Sequence, residues 1–216
     1  MPAKLKMTLA AVLAAFALSA ITADAASAEW FVNGSQLTST AALATSAVLD
    51  TTATWDFPVP KVGVDCEGPV DVNGKLLRFG LLDVTLIWLN CRALPVGVCS
   101  LSSSTAGIQS EPLEGTVTKG PGSSEDRVTV TPSTKTILAT IPFAEKAGSC
   151  PLTGEQAVRG SVTLAMPKGQ DEASTQVIEG LGSVENNSLE VDGDKGYIES
   201  GKALVTLASG SKWSFH

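Results

Sequence analysis

Alternation of apolar and polar residues is the feature that most constrains how this chain can fold, because it recurs throughout residues 29–216. Trp55, Phe57 and Val59 alternate with small or polar neighbours, and similar runs lie at 62–66, 128–131, 137–143 and 158–166. A period of two is typical of strands with one buried face, and about ten such runs, separated by turn-forming residues, indicate an all-β protein. We therefore expect residues 29–216 to form a single domain, a disulfide-bonded β-sandwich or an open β-barrel.

Two Asn-Gly pairs and one ambiguous segment refine this prediction. Asn33-Gly34 and Asn73-Gly74 each follow a short apolar run. Because Asn-Gly favours the type I′ turn, both pairs predict tight β-hairpins. Residues 37–49 contain several Ala and Leu residues, so a helix remains an alternative to strands there.

The first 28 residues have the three parts of a secretory signal peptide. Lys4 and Lys6 precede an apolar stretch from Met7 to Ile21, and small-x-small sequences end at Ala25 and Ala28. The apolar stretch is shorter than the about 20 residues that a membrane span requires. We predict cleavage after Ala28, and a mature chain that is secreted to the extracellular space or the cell surface without a membrane-spanning helix.

Four cysteines follow the predicted signal peptide, at positions 66, 91, 99 and 150. An even number of cysteines in an exported chain indicates structural disulfides. The sequence contains no C-x-x-C motif, which would have indicated redox chemistry or zinc binding. Of the three possible pairings we favour Cys66 with Cys91 and Cys99 with Cys150, since the runs ending in Cys66 and Cys91 both read as strands.

The order of several short motifs resembles a known group of proteins. The mature chain begins with Glu29-Trp30-Phe31-Val32-Asn33-Gly34, Cys91 ends a strand eight residues before Cys99, and Leu207-Ala208-Ser209-Gly210 precedes Trp213. In this order the chain resembles a group of small secreted proteins from soil bacteria that are labelled hypothetical. The resemblance implies a secreted β-rich fold and carries no known activity.

Composition excludes several classes of function. The chain has 22 acidic and 15 basic residues, and loss of Lys4, Lys6 and Asp24 with the signal peptide leaves 21 and 13. This negative charge disfavours binding to nucleic acid and to anionic lipid. The single histidine is His216, the last residue, which makes His-dependent catalysis and zinc, copper or haem sites improbable. We predict no cofactor and no metal site.

Two motifs match functional patterns only in spelling. Residues 209–212 read Ser-Gly-Ser-Lys, but the S-x-x-K mechanism requires a helix, and the flanking residues predict strand and turn. Residues 192–196 begin like a calcium-binding loop, but Ala203 stands where the loop requires a bidentate Glu. We interpret the first motif as non-catalytic and the second as an Asp-Gly turn between strands.

Carboxylates and tryptophans are the remaining candidates. A pair of carboxylates suffices for glycoside hydrolysis, and the acids beside apolar strands are Asp65, Glu67 and Asp83. Exposed aromatic rings could bind a polysaccharide, but alternation favours a core position for each tryptophan, namely Trp30, Trp55, Trp88 and Trp213. Trp30, next to the new N-terminus, is the best candidate for exposure.

These observations favour a non-enzymatic binding or structural protein over an enzyme. Its expected partner is a surface polysaccharide or another protein. A histidine-free hydrolase that uses two carboxylates is the first alternative, and a small outer-membrane β-barrel is the second, although 5 % aromatic residues is low for the latter. The ligand itself is not specified by the sequence.

Overall fold

The computed structural model describes residues 28–44, 46–49, 52–58, 60–102, 107–119, 125–134, 136–146, 148, 150–167, 172–180, 188–199 and 201–215. In these ranges the protein is all-β, and no helix that could cross a membrane is found there. The predicted signal peptide, except for Ala28, and His216 lie outside the described residues.

Twenty-one strands are found in the described ranges, and many contain only two to five residues. The first eleven strands are β1 (Trp30–Val32), β2 (Ser35–Gln36), β3 (Ala41–Ala42), β4 (Ser46–Leu49), β5 (Ala53–Phe57), β6 (Val62–Cys66), β7 (Val70–Leu76), β8 (Leu81–Trp88), β9 (Cys91–Leu94), β10 (Cys99–Leu101) and β11 (Ile108–Gln109). The other ten are β12 (Leu113–Lys119), β13 (Glu125–Pro132), β14 (Ile137–Glu145), β15 (Gly154–Arg159), β16 (Val162–Pro167), β17 (Thr175–Gly180), β18 (Leu189–Val191), β19 (Asp194–Glu199), β20 (Lys202–Thr206) and β21 (Trp213–Phe215).

Eight antiparallel strands form a barrel. Their order is β7-β8-β12-β13-β16-β17-β20-β4, and β4 pairs again with β7, so the pairings return to the first strand. Outside the barrel, β3 pairs with the last two residues of β7, and β11 pairs with the last two residues of β8. An eight-stranded barrel has an interior wide enough for a filling of side chains or for one small ligand.

Alternation along each strand separates the interior of this barrel from its surface. In β7, Val70, Val72 and Leu76 are buried inside, whereas Asp71 and Lys75 are exposed outside. β12 alternates in the same way between buried and exposed positions. The period-two pattern of the sequence therefore corresponds to an apolar interior and a polar outer surface.

A second sheet curls beside the barrel in the order β10-β14-β15-β18-β19-β5-β6-β9, and forms roughly half a barrel. Its two disulfides are Cys66–Cys91, which joins neighbouring strands β6 and β9, and Cys99–Cys150, which joins β10 to the segment before β15. This is the pairing that the sequence favoured. All four cysteines are buried, and the buried apolar residues of both sheets belong to one contiguous cluster.

A small sheet of β2, β1 and β21 joins the two ends of the chain. Trp30 lies opposite Phe215 in the pairing of β1 with β21. Asn33 and Gly34 form the predicted hairpin turn between β1 and β2, with φ angles of 50° and 76°. Both angles are positive, as the type I′ turn requires.

The second hairpin prediction was wrong. Asn73 and Gly74 lie inside β7, which continues to Leu76, and the chain turns only at residues 77–80. Gly74 is needed there for a different reason, because a Cβ atom at this position would lie 2.5 Å from the carbonyl oxygen of Asp83 on β8. A glycine in a strand often marks such a close backbone approach.

Two further expectations differ from the structure. The helix considered for residues 37–49 is absent from the described part of that segment, which contains strands β3 and β4. The number of strands also exceeds the predicted ten, because many short strands lie in segments without clear alternation. Pairing with distant strands, rather than local pattern, determines these short elements.

Ala28, the last residue of the predicted signal peptide, is fully buried. Its carbonyl oxygen lies so close to Gly80 that a Cβ atom on Gly80 would be 2.1 Å away. Cleavage after Ala28 would remove this contact, whereas cleavage after the earlier small-x-small sequence would retain it.

Candidate ligand-binding cavity

The side chains inside the barrel leave a cavity of about 140 Å³ between them. Its wall consists entirely of glycine, alanine, valine, leucine, isoleucine and tryptophan residues. Inward-facing residues of three adjacent strands, Leu164, Ile178 and Val205, are only half-buried although they belong to this wall. Partial exposure at inward positions is expected beside an unfilled space.

Two tryptophans close one end of the cavity. Trp30 of β1 and Trp213 of β21 both line it, with ring centroids 5.8 Å apart, and Phe215 packs edge-on against Trp30 at 5.7 Å. The indole Nε1–H of Trp30 donates to the carbonyl oxygen of Leu81 at 2.7 Å, and this hydrogen bond connects the tryptophan pair to β8. Backbone hydrogen bonds in both directions between Trp213 and Ala173 attach it to the segment before β17.

The second sheet covers the other end. Trp88, at the end of β8, lines the cavity and meets Trp55 of β5 edge-to-face with centroids 5.0 Å apart. Ala53 and Ile198, from strands of the second sheet, also contribute to the wall. Three of the four tryptophans therefore border the same apolar space.

The wall offers very little to a polar or charged group. No side chain that lines the cavity is ionisable, and the indole N–H is the only polar group on these side chains. The N–H of Trp30 is already bonded to Leu81, and the N–H of Trp213 is buried without an acceptor among the described residues. The buried Gln176, a neighbour of the cavity, donates its amide N–H to the backbone carbonyl of Trp213.

Among the described residues, strand β4 has short pairings on both of its sides. It pairs with β20 through two residues and with β7 through two residues, whereas β12 and β13 pair through seven. Ala47 of β4 is buried and lines the cavity. Short pairings open at lower free energy than long ones, so this strand is the natural place for local opening of the wall.

Comparison of the chain with protein-family models, with curated proteins and with solved structures found no match in any of the three. The resemblance to secreted soil-bacterial proteins therefore stays a prediction.

The three candidate carboxylates do not form a catalytic pair in a cleft. Arg92 bridges two of them, with Nη2 3.3 Å from Asp65 Oδ2 and 2.8 Å from Glu67 Oε1. Asp65 also accepts a hydrogen bond from the Thr54 hydroxyl at 2.9 Å. Asp83 lies on another sheet, with Oδ2 3.7 Å from the ammonium of Lys75. Each of the three carboxylates is therefore held in an ion pair with Arg92 or Lys75.

The two motifs that match only in spelling have structural explanations. Ser209 and Lys212 lie in the turn and loop before β21 rather than on a helix, and the Ser209 hydroxyl accepts from the backbone N–H of Ser211 at 3.2 Å. Asp192 and Gly193 form a two-residue turn between β18 and β19, with φ angles of 50° and 88°. Within the described ranges, no three His, Cys, Asp or Glu side chains come together as metal ligands.

All four tryptophans are buried, including Trp30, so none of them offers an exposed platform for a polysaccharide. A separate depression of about 420 Å³ on the outside lies where the two sheets meet and includes Glu111 and Glu155. Its lining contains no aromatic side chain. The cavity leaves no signal in the sequence, because alternation shows which side chains face inward but not whether they fill the space between them.

Proposed function

We propose that this protein is an extracellular, non-enzymatic binding protein that holds one small uncharged apolar molecule inside its barrel. The observation that carries the proposal is the 140 Å³ cavity with an entirely apolar wall. Largely preformed apolar cavities are the usual binding sites of small molecules. The two buried disulfides are consistent with an extracellular protein.

The cost of the cavity supports this proposal. At about 24 cal/mol per Å³, an empty space of 140 Å³ lowers stability by about 3 kcal/mol relative to a filled core. Proteins are stable by only about 5–15 kcal/mol, so a space of this size is a substantial fraction of the total. An occupant that fills the cavity recovers dispersion contacts and removes apolar surface from water.

The wall of the cavity disfavours catalysis inside the barrel, and the outer surface of the barrel disfavours the outer-membrane alternative. No nucleophile, acid or base lines the cavity, so it offers a bound molecule no chemistry. Outward positions of the barrel, such as Asp71, Lys75 and Glu114, are exposed and polar. An outer-membrane barrel has the opposite arrangement, with an apolar outer band and a polar lumen.

Toluene is a suitable probe for a cavity of this size. With the oxidised full-length chain, we expect a change in tryptophan fluorescence on titration, since Trp30, Trp88 and Trp213 border the cavity. At about 100 times its Kd, toluene should raise stability by about 2.7 kcal/mol, which corresponds to about 5–10 °C in Tm for a chain of this length.

A matched pair of variants separates the cavity from the surface. Ala47→Ile adds three carbons at a buried position on the wall, and Ala42→Ile makes the same change at an exposed position in β3. We expect A47I to lose the toluene response and A42I to retain it. Equal responses in both variants, or no response in the unmodified protein, would refute the proposed function.

A further inference from the structure

We infer that the ligand is a neutral hydrocarbon of about benzene size that carries no hydrogen-bonding group. This inference rests on the proposed function and specifies the chemical class that the same cavity accepts. It excludes fatty acids, sugars and alcohols, which the secreted location alone would allow.

The wall of the cavity carries no charged side chain. Every side chain that lines the cavity is aliphatic or an indole, so a carboxylate or an ammonium would enter without a counter-charge. Transfer of an unpaired ion into such surroundings is so unfavourable that the group would bind only in its neutral form. The nearby polar side chain of Gln176 already donates to the carbonyl of Trp213.

Hydrogen-bonding groups on the ligand would need partners on the wall of the cavity. A bound hydroxyl gives up its bonds to water and needs a partner inside the protein. The Trp30 N–H is held by Leu81, and the Trp213 nitrogen is so closely covered that less than 1 Å² of its surface is accessible. The backbone groups of Gly180 and Gly201 at the other end bond to each other at 3.0 Å. These two indoles and this glycine pair therefore offer no partner to a hydroxyl on the ligand, and a hydroxyl beside them would stay unpaired.

The volume of the cavity limits the size of the ligand. A dry cavity of about 150 Å³ lined by aliphatic and aromatic side chains is known to hold benzene or xenon. The cavity here is nearly the same volume, at about 140 Å³. Long acyl chains and fused ring systems are too large for it unless the wall rearranges.

The test compares three probes of similar size on the unmodified full-length protein, namely toluene, phenol and benzoate. Calorimetric titration should show toluene binding more tightly than phenol by about tenfold or more, because burial of an unpaired hydroxyl is unfavourable. Benzoate at neutral pH should show no binding. Trp213→Phe removes a buried indole N–H that has no acceptor among the described residues and also changes the wall of the cavity. It should therefore change the affinities for toluene and phenol by the same factor, so that their ratio, the preference for toluene, stays the same.

Two other results would have different meanings. Phenol binding as tightly as toluene, with that affinity lost in Trp213→Phe, would overturn the inference and identify the indole as a hydrogen-bond donor to the ligand. That result would leave the proposed function intact. If none of the three probes bound, the proposed function itself would fail, and this inference with it.

Discussion

Replacement of Ala47 by isoleucine should make the protein more stable. Ala47 is buried in β4 and faces the cavity of about 140 Å³. Isoleucine adds three carbons to the cavity, and each buried methylene contributes about 0.8 kcal/mol, which gives an upper limit of about 2.4 kcal/mol. Isoleucine also favours strands, whereas imperfect fit of the new side chain reduces the gain. We therefore expect a net increase of about 1–2 kcal/mol.

Urea unfolding of the oxidised protein measures this change directly, and Tm should rise by about 2–8 °C for a chain of this length. Ala42→Ile is the control, because its side chain is exposed and its effect should stay within about 0.5 kcal/mol. A loss of more than about 1 kcal/mol in A47I would show that the space beside Ala47 is already filled, and would refute the reasoning from the cavity.

Two other predictions concern the backbone and the disulfides. Gly160→Ala should lower the free energy of unfolding by about 3 kcal/mol or more, because the new Cβ would lie 1.9 Å from the carbonyl oxygen of Ser188. Gly154 also has a positive φ, but a Cβ there would have no atom within 4 Å, so Gly154→Ala should cost only about 1 kcal/mol. Urea unfolding of both variants measures the difference. Equal costs for both would show that close approach does not matter at Gly160. Replacement of both Cys99 and Cys150 by alanine opens a loop with a separation of 51 residues and should cost about 4 kcal/mol, and an unchanged unfolding midpoint would contradict this estimate.

Local pattern predicted the elements whose structure depends on near neighbours. Alternation around Val128 and Val162 correctly indicated inward positions, and these residues lie on adjacent paired strands of the barrel. Asn33-Gly34 was predicted correctly, because both residues of its turn take the positive φ angles that this pair favours. Asn73-Gly74 has the same letters but a different structure, since contact with β8 decides the role of Gly74.

Closure of the barrel and the cavity could not be predicted in this way. β4 pairs with β7 and with β20, and the residues of β4 do not themselves indicate either partner. Trp30 was the tryptophan most expected to be exposed, but it is buried because it packs on Trp213 and bonds to Leu81, both far away along the chain. Whether side chains fill an interior depends on the barrel's diameter, which emerges only when all eight strands are placed.

The pairing of the two ends of the chain has a consequence for folding. β4 gains its second partner only when β20 is available, and Trp30 is covered only when β21 has paired with β1. Contacts between residues this far apart form slowly, because closing a long loop costs conformational entropy before the new contacts compensate for it. The barrel therefore cannot close before β20 has formed, and truncation before β20 leaves an open sheet with an exposed apolar face.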